Sequence, residues 1–160
     1  MGANAPSPFM RQIAIVGLAD STHDKAPYKD SSWELWGLTL DHEKCFYFDK
    51  AFQMHPLSFI NNTSFSSEDE RSLRELDIPI YMQESYSEIP NAVAYPLEGV
   101  INLVGDYFNS SIAYMLGLAI LENVDRIGIW GVDMIADDEF AYQRPNAEYL
   151  IGFAKGRGID

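Results

Sequence analysis

The stretch NSSIAYMLGLAILENVDRIGIWGVD, residues 109–133, decides the fold class. Its first half is apolar on nearly every side of a helix, which predicts a helix buried against a sheet. Its second half, RIGIWGV at 126–132, is a short apolar run typical of a buried strand. A buried helix followed at once by such a strand is the repeating unit of an α/β protein.

The same alternation continues on both sides of this stretch. Residues 12–19, QIAIVGLA, form a β-branched run that ends at a glycine and predict the first strand. Further strands are predicted at 45–52, at 78–83 and, more briefly, at 92–95. Strands separated by helices at this spacing predict an α/β fold: an open, mostly parallel Rossmann-like sheet with helices on both faces.

Helices are predicted from their start and stop signals. Ser31 or Ser32 would cap a short helix over WELWGLTL, with Glu34 in its first turn. Ser66 or Ser67 would cap a second helix whose Leu73 and Leu76 face the core. The last helix is predicted over RPNAEYLIGFAKG, 144–156, with Pro145 in its first turn, and the long buried helix would begin at Asn109, Ser110 or Ser111.

The length of 160 residues corresponds to one domain, and 47% hydrophobic residues suffice for its core. Residues 1–10 contain two prolines and no periodicity and predict a flexible arm, which leaves residues 11–160 as a single Rossmann-like domain. The sequence stops at Asp160, where an α/β unit would start another strand. We expect either a sheet that ends one strand early or a longer protein.

Charge and composition exclude several classes of function. The chain carries 24 Asp and Glu against 11 Lys and Arg, a net charge of −13, which opposes non-specific binding to nucleic-acid phosphates. No apolar run reaches the roughly 18 residues of a membrane span. The single cysteine, Cys45, and three scattered histidines exclude a structural zinc module. These features predict a cytoplasmic protein without a membrane segment.

Residues that follow the predicted strands are the first candidates for a site. Open α/β sheets bind ligands outside the carboxyl ends of their strands, which selects Gly17 and Ser21 after the first strand and Asp133 after the last. GLADST at 17–22 is neither a dinucleotide fingerprint nor a phosphate-binding P-loop. Gly17 either lets a ligand approach the backbone or only makes the turn.

Asn109, Ser110 and Ser111 stand before the buried helix and predict an anion site. A helix start offers N–H groups and a positive dipole, and the hydroxyls add donors, so phosphate or carboxylate would fit. Ordinary N-capping by one serine is the alternative.

Asp133 is followed by Asp137, Asp138 and Glu139 within six residues. Carboxylates this close could hold Mg²⁺ together with substrate phosphates. A solvated acidic loop is the alternative for the later three acids, whereas Asp133 lies at the end of a strand, where open α/β sheets bind their ligands.

Gln143 and Arg144 begin the last helix, where the helix dipole disfavours a cation unless an anion neutralises it. This pattern indicates a ligand clamp; a surface ion pair of Arg144 with Glu148 is the alternative.

Trp33 and Trp36 would share one face of a helix and either pack in the core or stack on a ligand. His55 has no Ser or Cys partner that indicates a catalytic triad, so it is interpreted as a hydrogen-bonded loop histidine.

Three stretches resemble a known group of proteins. APYKDSSWELWGL (26–38), the stretch from Asp106 to Met134 and YQRPNAEYLIGFAKGRGI (142–159) resemble small phage-encoded Rossmann-like proteins of mostly unassigned function. The Ser-Ser helix start, the helix and the strand that ends in Gly-x-Asp are similar to 6-hydroxymethylpterin diphosphokinase-like proteins and sialyltransferase-like glycosyltransferases. This wider resemblance covers only about residues 106–134.

The resemblance implies a site and two classes of function. It would place Gly17 near a nucleotide, Ser110 and Ser111 at its phosphate or sugar, and Asp133 as the acid. The first hypothesis is a protein that binds a nucleotide or nucleotide sugar, with glycosyl or diphosphate transfer and Mg²⁺ as its chemistry. The alternative is a non-catalytic phage module in the host cytoplasm that sequesters a nucleotide signal or binds a host protein.

A homo-oligomer is also compatible with the sequence, because a partner subunit could cover an exposed strand edge. The predicted ligand contacts are Gly17, Ser21, Asn109, Ser110, Ser111, Gln143 and Arg144, with Asp133 as the catalytic residue and metal ligand.

Overall fold

A computed structural model describes residues 10–41, 44, 47–62, 71 and 73–160, with residues 59, 61 and 62 described by their backbone only. Within this part of the chain, six strands form one sheet in the order β5-β4-β3-β2-β1-β6, and every neighbouring pair is parallel. The strands are β1 (Gln12–Val16), β2 (Trp33–Leu38), β3 (Lys50–Gln53), β4 (Ile80–Met82), β5 (Ala92–Ala94) and β6 (Arg126–Trp130). The predicted open parallel sheet is therefore confirmed.

The order of the strands places a crevice between β1 and β6. The chain adds β2 to β5 on one side of β1 and then returns to add β6 on the other side. Connections at the carboxyl ends of β1 and β6 therefore run in opposite directions, which is the point where open α/β sheets bind ligands.

Helices cover both faces of the sheet. They are α1 (Leu57–Asn62), α2 (Leu97–Val104), α3 (Ser111–Leu121) and α4 (Arg144–Gly156), with a 3₁₀ turn at His23–Lys25 and a π-helical turn at Glu139–Gln143. Ile13 and Ile15 belong to the hydrophobic cluster that includes side chains of α3 and α4. Ala14 and Val16 belong to a second hydrophobic cluster, together with Leu35 and Phe48. Successive residues of a strand point to opposite faces, so the two clusters lie on opposite faces of the sheet.

The long helix is buried, as predicted. Ser110 is the N-cap of α3: its Oγ accepts a hydrogen bond from Ala113 N at 3.2 Å. Most of the helix is buried, because it lies between the sheet and its two neighbouring helices; these residues are Ile112, Ala113, Met115, Leu116, Gly117, Leu118, Ala119 and Ile120.

The predicted helix over residues 33–40 is wrong, because this segment forms β2. Trp33 packs against Trp130 with ring centroids 5.3 Å apart, whereas Trp36 packs against Phe52 at 5.5 Å. The two tryptophans belong to clusters on opposite faces of the sheet, which a strand permits and one helical face does not. Pairing with β1 on one side and β3 on the other outweighs the helical spacing.

The predicted serine cap of that segment is wrong as well. Ser32 closes a local turn, in which Asp30 Oδ1 accepts hydrogen bonds from both N and Oγ of Ser32. Glu34 lies in β2 and is paired with Arg11 and Lys50.

The strand predicted at 45–52 is shorter in the structure. β3 begins at Lys50, and residues 45 and 46 lie outside the described residues. Phe48 precedes the strand and fills the space beside Gly37, where a Cβ would lie 2.1 Å from the Phe48 ring. Phe48 is therefore a buried residue that packs beside the sheet before β3 begins.

Other boundaries differ by a few residues. β1 and β6 end at Val16 and Trp130, earlier than predicted. Part of the predicted acidic loop is the π-helical turn, which continues into α4. Leu73 is buried as predicted, whereas the proposed caps Ser66 and Ser67 lie outside the described residues, as do residues 1–9 of the predicted arm.

After α4 the chain meets β6. Asp160 N donates to Asp125 O at 3.1 Å, and Ile127 N donates to Asp160 O at 2.9 Å. This is the hydrogen-bond pattern of a parallel pair. No helix in the described part of the chain is long and apolar enough to cross a membrane.

Candidate functional site

A cavity of about 480 Å³ opens in the crevice between β1 and β6. Residues 17–19 after β1, residues 131–134 after β6 and residues 109–112 at the start of α3 form its walls, and Leu38, His55, Glu139 and Gln143 complete them. Its volume lies in the usual range for small-molecule sites.

Six of the eight predicted site residues line this one cavity. They are Gly17, Asn109, Ser110, Ser111, Asp133 and Gln143. A seventh, Ser21, donates its hydroxyl hydrogen bond to Asp133 Oδ1 and so lies beside the cavity. Arg144 is the exception and is described below.

Gly17 and Gly131 bring the ends of β1 and β6 into direct backbone contact. Ala19 N donates to Gly131 O at 2.9 Å, and a Cβ at Gly17 would lie 2.3 Å from the same oxygen. Gly131 has φ +64°, and a Cβ there would lie 2.5 Å from Gly17 O. Side chains are thus excluded at both positions, which keeps this end of the crevice open as bare backbone.

The start of α3 supplies hydrogen-bond donors to the cavity. Ser110 has extended backbone angles and caps the helix, and Ser111 and Ile112 are the first residues after the cap. N–H groups in the first turn of a helix have no acceptor within the helix and carry its positive dipole. This wall is therefore suited to an anion.

Asn109 is held by a neighbouring segment. Its Nδ2 donates to the carbonyl oxygen of Tyr142, at the end of the π-helical turn. The start of α3 and the start of α4 are thereby linked beside the cavity.

Asp133 is exposed and faces the cavity from a strained turn. It stands between Gly131 and Met134, which has φ +49°, a left-handed conformation that is uncommon for a residue with a side chain. Met134 is buried in the core, and its packing holds the turn. Glu139 lines the same cavity, whereas Asp137 and Asp138 are exposed and lie outside its walls.

Arg144 is not brought to the cavity. Its Nε donates to Glu148 Oε1 at 2.8 Å, and its guanidinium lies 5.3 Å from the centre of the Phe140 ring. Both partners of the ion pair are largely exposed. The geometry is that of the surface ion pair considered as the alternative, and the preceding Gln143 lines the cavity in its place.

His55 lines the cavity, although its sequence pattern indicates only a hydrogen-bonded loop histidine. It follows β3 by two residues, so the strand-end rule that selected Gly17 and Asp133 applies to it equally. Of the three acids that follow Asp133 in the sequence, Glu139 lines the cavity, and its position depends on the π-helical turn, which has no clear sequence signal.

The described residues that line the cavity supply carboxylates and an imidazole but no lysine or arginine side chain. Asp133 and Glu139 contribute the carboxylates, and neither Lys nor Arg occurs among the described residues that line it. Among those residues, no group of three or more His, Cys, Asp or Glu side chains is arranged to hold a metal ion. A phosphate here would be met by backbone amides, hydroxyls and any cation that it brings.

A second polar cluster supports the loop that follows β1. His23 Nε2 lies 2.5 Å from Asp41 Oδ2, and Tyr28 Oη lies 3.3 Å from the same nitrogen. Burial, together with the charges of Asp41 and Asp24, raises the pKa of Tyr28 to about 12. The phenol therefore keeps its proton at neutral pH. Next to His23, Thr22 Oγ1 accepts a hydrogen bond from Gly131 N at 2.8 Å, which links this loop to the cavity.

Comparison with known proteins shows the fold. No family model matches the chain, and no curated protein matches it. Among solved structures, the sialyltransferase CstII from Campylobacter jejuni, in complex with a substrate analogue, cytidine-5'-monophosphate (CMP), matches with a TM-score of 0.55 and 12% sequence identity. The match covers 94% of this chain and 78% of that chain. The chain therefore has an α/β, Rossmann-like fold similar to that of a nucleotide-binding transferase.

Proposed function

We propose that the protein binds a nucleotide or nucleotide sugar in the cavity between β1 and β6 and acts as a transferase on a phosphate-bearing donor. One observation carries the proposal: residues selected from the sequence as ligand contacts line a single cavity of about 480 Å³. This cavity lies at the switch point of a parallel sheet, where such folds bind ligands.

The ligand's phosphate would lie at the start of α3. The N–H groups of Ser111 and Ile112 and the Ser111 hydroxyl are the donors of this wall. The nucleoside would lie along the bare backbone of Gly17 and Gly131, with Leu18, Leu38 and Met134 as its apolar contacts. Apolar walls with a few polar groups are typical of small-molecule sites.

Magnesium is proposed as the cation that accompanies the phosphate. Mg²⁺ uses one or two carboxylates together with phosphate oxygens and water, and the two carboxylates of the cavity, Asp133 and Glu139, fit this donor set. When bound, the ion would neutralise phosphate charge. Asp133 would be its first protein ligand, and Ser21 would keep that carboxylate turned toward the cavity.

Two side chains could move a proton during transfer. In the proposed reaction, an acceptor O–H attacks the donor carbon and forms the new C–O bond. The bond from that carbon to the phosphate oxygen breaks, and the nucleotide leaves with the electron pair. His55, which lines the same cavity, is proposed to take the acceptor proton, because Asp133 is a poor base while it holds the cation. Without the cation, Asp133 is the second group able to take that proton.

Thermal unfolding with a panel of ligands tests binding. We expect CMP, other nucleotides or nucleotide sugars, each at millimolar concentration with Mg²⁺, to raise Tm for at least one member. A ligand at about 100 times its Kd stabilises the folded state by about 2.7 kcal/mol. If no member raises Tm with or without Mg²⁺, the proposal is wrong.

Asp133→Asn tests the site, with Asp137→Asn as the matched control. Both changes remove one carboxylate from the same exposed segment, but only Asp133 lines the cavity. We expect Asp133→Asn to abolish the Mg²⁺-dependent part of the Tm shift and Asp137→Asn to keep it. Equal shifts in both variants would remove Asp133 from the site.

Mass spectrometry then separates a transferase from a binding module. A transferase splits a nucleotide-sugar donor in the presence of an acceptor, whereas a module that sequesters nucleotides returns the donor intact.

A further inference from the structure

The segment before α3 is held in place by a buried side chain from another helix. Residues 105–110 connect α2 to α3 without regular secondary structure, yet they carry Asn109 and Ser110 to the wall of the cavity. A segment without its own backbone ladder depends on side chains for its position. Asn146, in the first turn of α4, provides that support.

Asn146 is fully buried, with 0% of its surface exposed. Its Nδ2 donates to Tyr107 O at 2.5 Å, and its Oδ1 accepts from Asn109 N at 3.4 Å. One amide group therefore holds the backbone of the segment at two places, on both sides of Phe108. An asparagine supplies the donor and the acceptor together, which neither Asp nor Leu of similar size can do.

Other contacts of the segment act in the same direction. Phe108 stacks on Tyr114 of α3 with ring centroids 4.9 Å apart, and Asn109 Nδ2 donates to Tyr142 O. These contacts fix a ring and a side chain, whereas the bonds to Asn146 fix the backbone itself. Asn146 is thus the side chain that ties the backbone just before α3 to α4.

We infer that Asn146 is a positioning residue that sets the anion-binding start of α3 without touching the ligand. The inference rests on the proposed function, because it assigns a determinant of affinity to the same site. Asn146 is not among the residues that line the cavity, so its influence passes through Tyr107 and Asn109.

Two variants and one control test the inference. Asn146→Ala removes both bonds, and Asn146→Asp keeps an acceptor for Asn109 N while removing the donor to Tyr107 O. Asn91→Ala is the control, because Asn91 Nδ2 donates to a backbone carbonyl, that of Leu76, at 2.7 Å in a part of the chain that does not line the cavity. The Asn91→Ala variant therefore loses a hydrogen bond of the same type at a distance from the cavity between β1 and β6.

The first readout is the Kd of CMP in the presence of Mg²⁺, measured by calorimetry. We expect both Asn146 variants to weaken binding by about tenfold or more, and Asn91→Ala to retain the wild-type Kd. Wild-type affinity in folded Asn146→Asp and Asn146→Ala would overturn the inference.

The second readout needs no ligand. We expect the amides of residues 109–113 to exchange hydrogen about tenfold faster in both Asn146 variants than in wild type or Asn91→Ala, because the segment opens locally. Unchanged exchange in these amides overturns the inference. If the wild-type protein does not bind CMP but exchange changes as expected, the proposed function has failed for CMP while Asn146 still positions the start of α3.

Discussion

At the scale of single residues, the contact between Gly17 and Gly131 fixes the geometry of the crevice. Two facing carbonyl groups lie where side chains would normally be, and Gly131 also takes a left-handed φ of +64°. Gly131 is thus restricted both by its left-handed φ and by the nearby Gly17 O, so replacing it with a larger residue combines backbone strain with a steric clash.

Gly131→Ala and Gly158→Ala separate these two effects. Gly158 is also left-handed, with φ +84°, but a Cβ there meets nothing within 4 Å. We expect Gly158→Ala to lower the free energy of unfolding by about 1–2 kcal/mol and Gly131→Ala by about 3 kcal/mol or more. Urea denaturation measures both. If both variants lose the same free energy of unfolding, the close approach of residue 131 to Gly17 O does not contribute to stability.

Glu34 lies in β2, and its ionisation is linked to folding. Burial opposes its charge, but the hydrogen bond from Trp36 Nε1 and the charges of Lys50 and Arg11 outweigh burial and hold the pKa of Glu34 below its usual value. Glu122 shares both cations. A lowered pKa stabilises the folded state above the unfolded value and loses this effect as pH falls through the folded one.

Glu34→Gln is therefore expected to destabilise the protein in a pH-dependent way. At pH 7 we expect a loss of roughly 1–2 kcal/mol, which shrinks as the pH is lowered from about 4.5 through the folded pKa of Glu34. The difference between wild type and variant is measured by urea denaturation at each pH. Glu148→Gln is the control, since its exposed pair with Arg144 should contribute little. A difference that is constant with pH would contradict the account.

At the scale of elements, α3 packs so closely against its neighbours that its single glycine has no room for a methyl group. A Cβ at Gly117 would lie 2.7 Å from Val100 Cγ1 of α2 and 3.1 Å from the hydroxyl of Tyr95. Gly152 of α4 is exposed, and a Cβ there meets nothing within 4 Å. The same substitution thus acts on two helices in opposite packing environments.

Alanine should affect these two helices in opposite directions. In a helix interior alanine is favoured over glycine by up to about 1 kcal/mol, so Gly152→Ala is expected to stabilise the protein. For Gly117→Ala we expect a net loss of about 1–2 kcal/mol, because overpacking costs more than the propensity gains. Thermal unfolding of both variants checks the signs. Stabilisation by Gly117→Ala would mean that α2 and α3 can move apart.

Element types were predictable where one pattern dominated. The apolar residues on all sides of α3 and the proline at the start of α4 are each compatible only with a helix, and both helices are present in the structure. The segment WELWGL did not have this property: its apolar spacing fits a helix, and only pairing with β1 and β3 makes it a strand. Tertiary pairing is not visible in a local pattern.

The candidate site was predictable to the extent that strand ends define it. Gly17 and Asp133 follow from the end of a strand, and Ser110 from a helix start, without knowledge of their neighbours. A cation at a helix start is disfavoured by the helix dipole, which indicates a ligand clamp at Arg144, but Glu148 one turn later already neutralises this charge. His55 reaches the cavity through the position of β3, which depends on the order of the strands.

At the scale of the whole molecule, charge and site have to be considered together. The chain carries a net charge of −13, and the described residues that line the cavity include carboxylates but no lysine or arginine. An anionic ligand is therefore repelled at long range and must be held by directed groups at short range. This combination is the reason to expect that Mg²⁺ strengthens nucleotide binding.

A crystal structure of the protein grown with CMP and Mg²⁺ tests the central claim most directly. We expect a nucleotide in the cavity between β1 and β6, with its phosphate at the N–H groups of Ser111 and Ile112 and a cation at Asp133. Crystals grown at millimolar CMP that leave this cavity empty, or that hold the nucleotide elsewhere on the molecule, would contradict it.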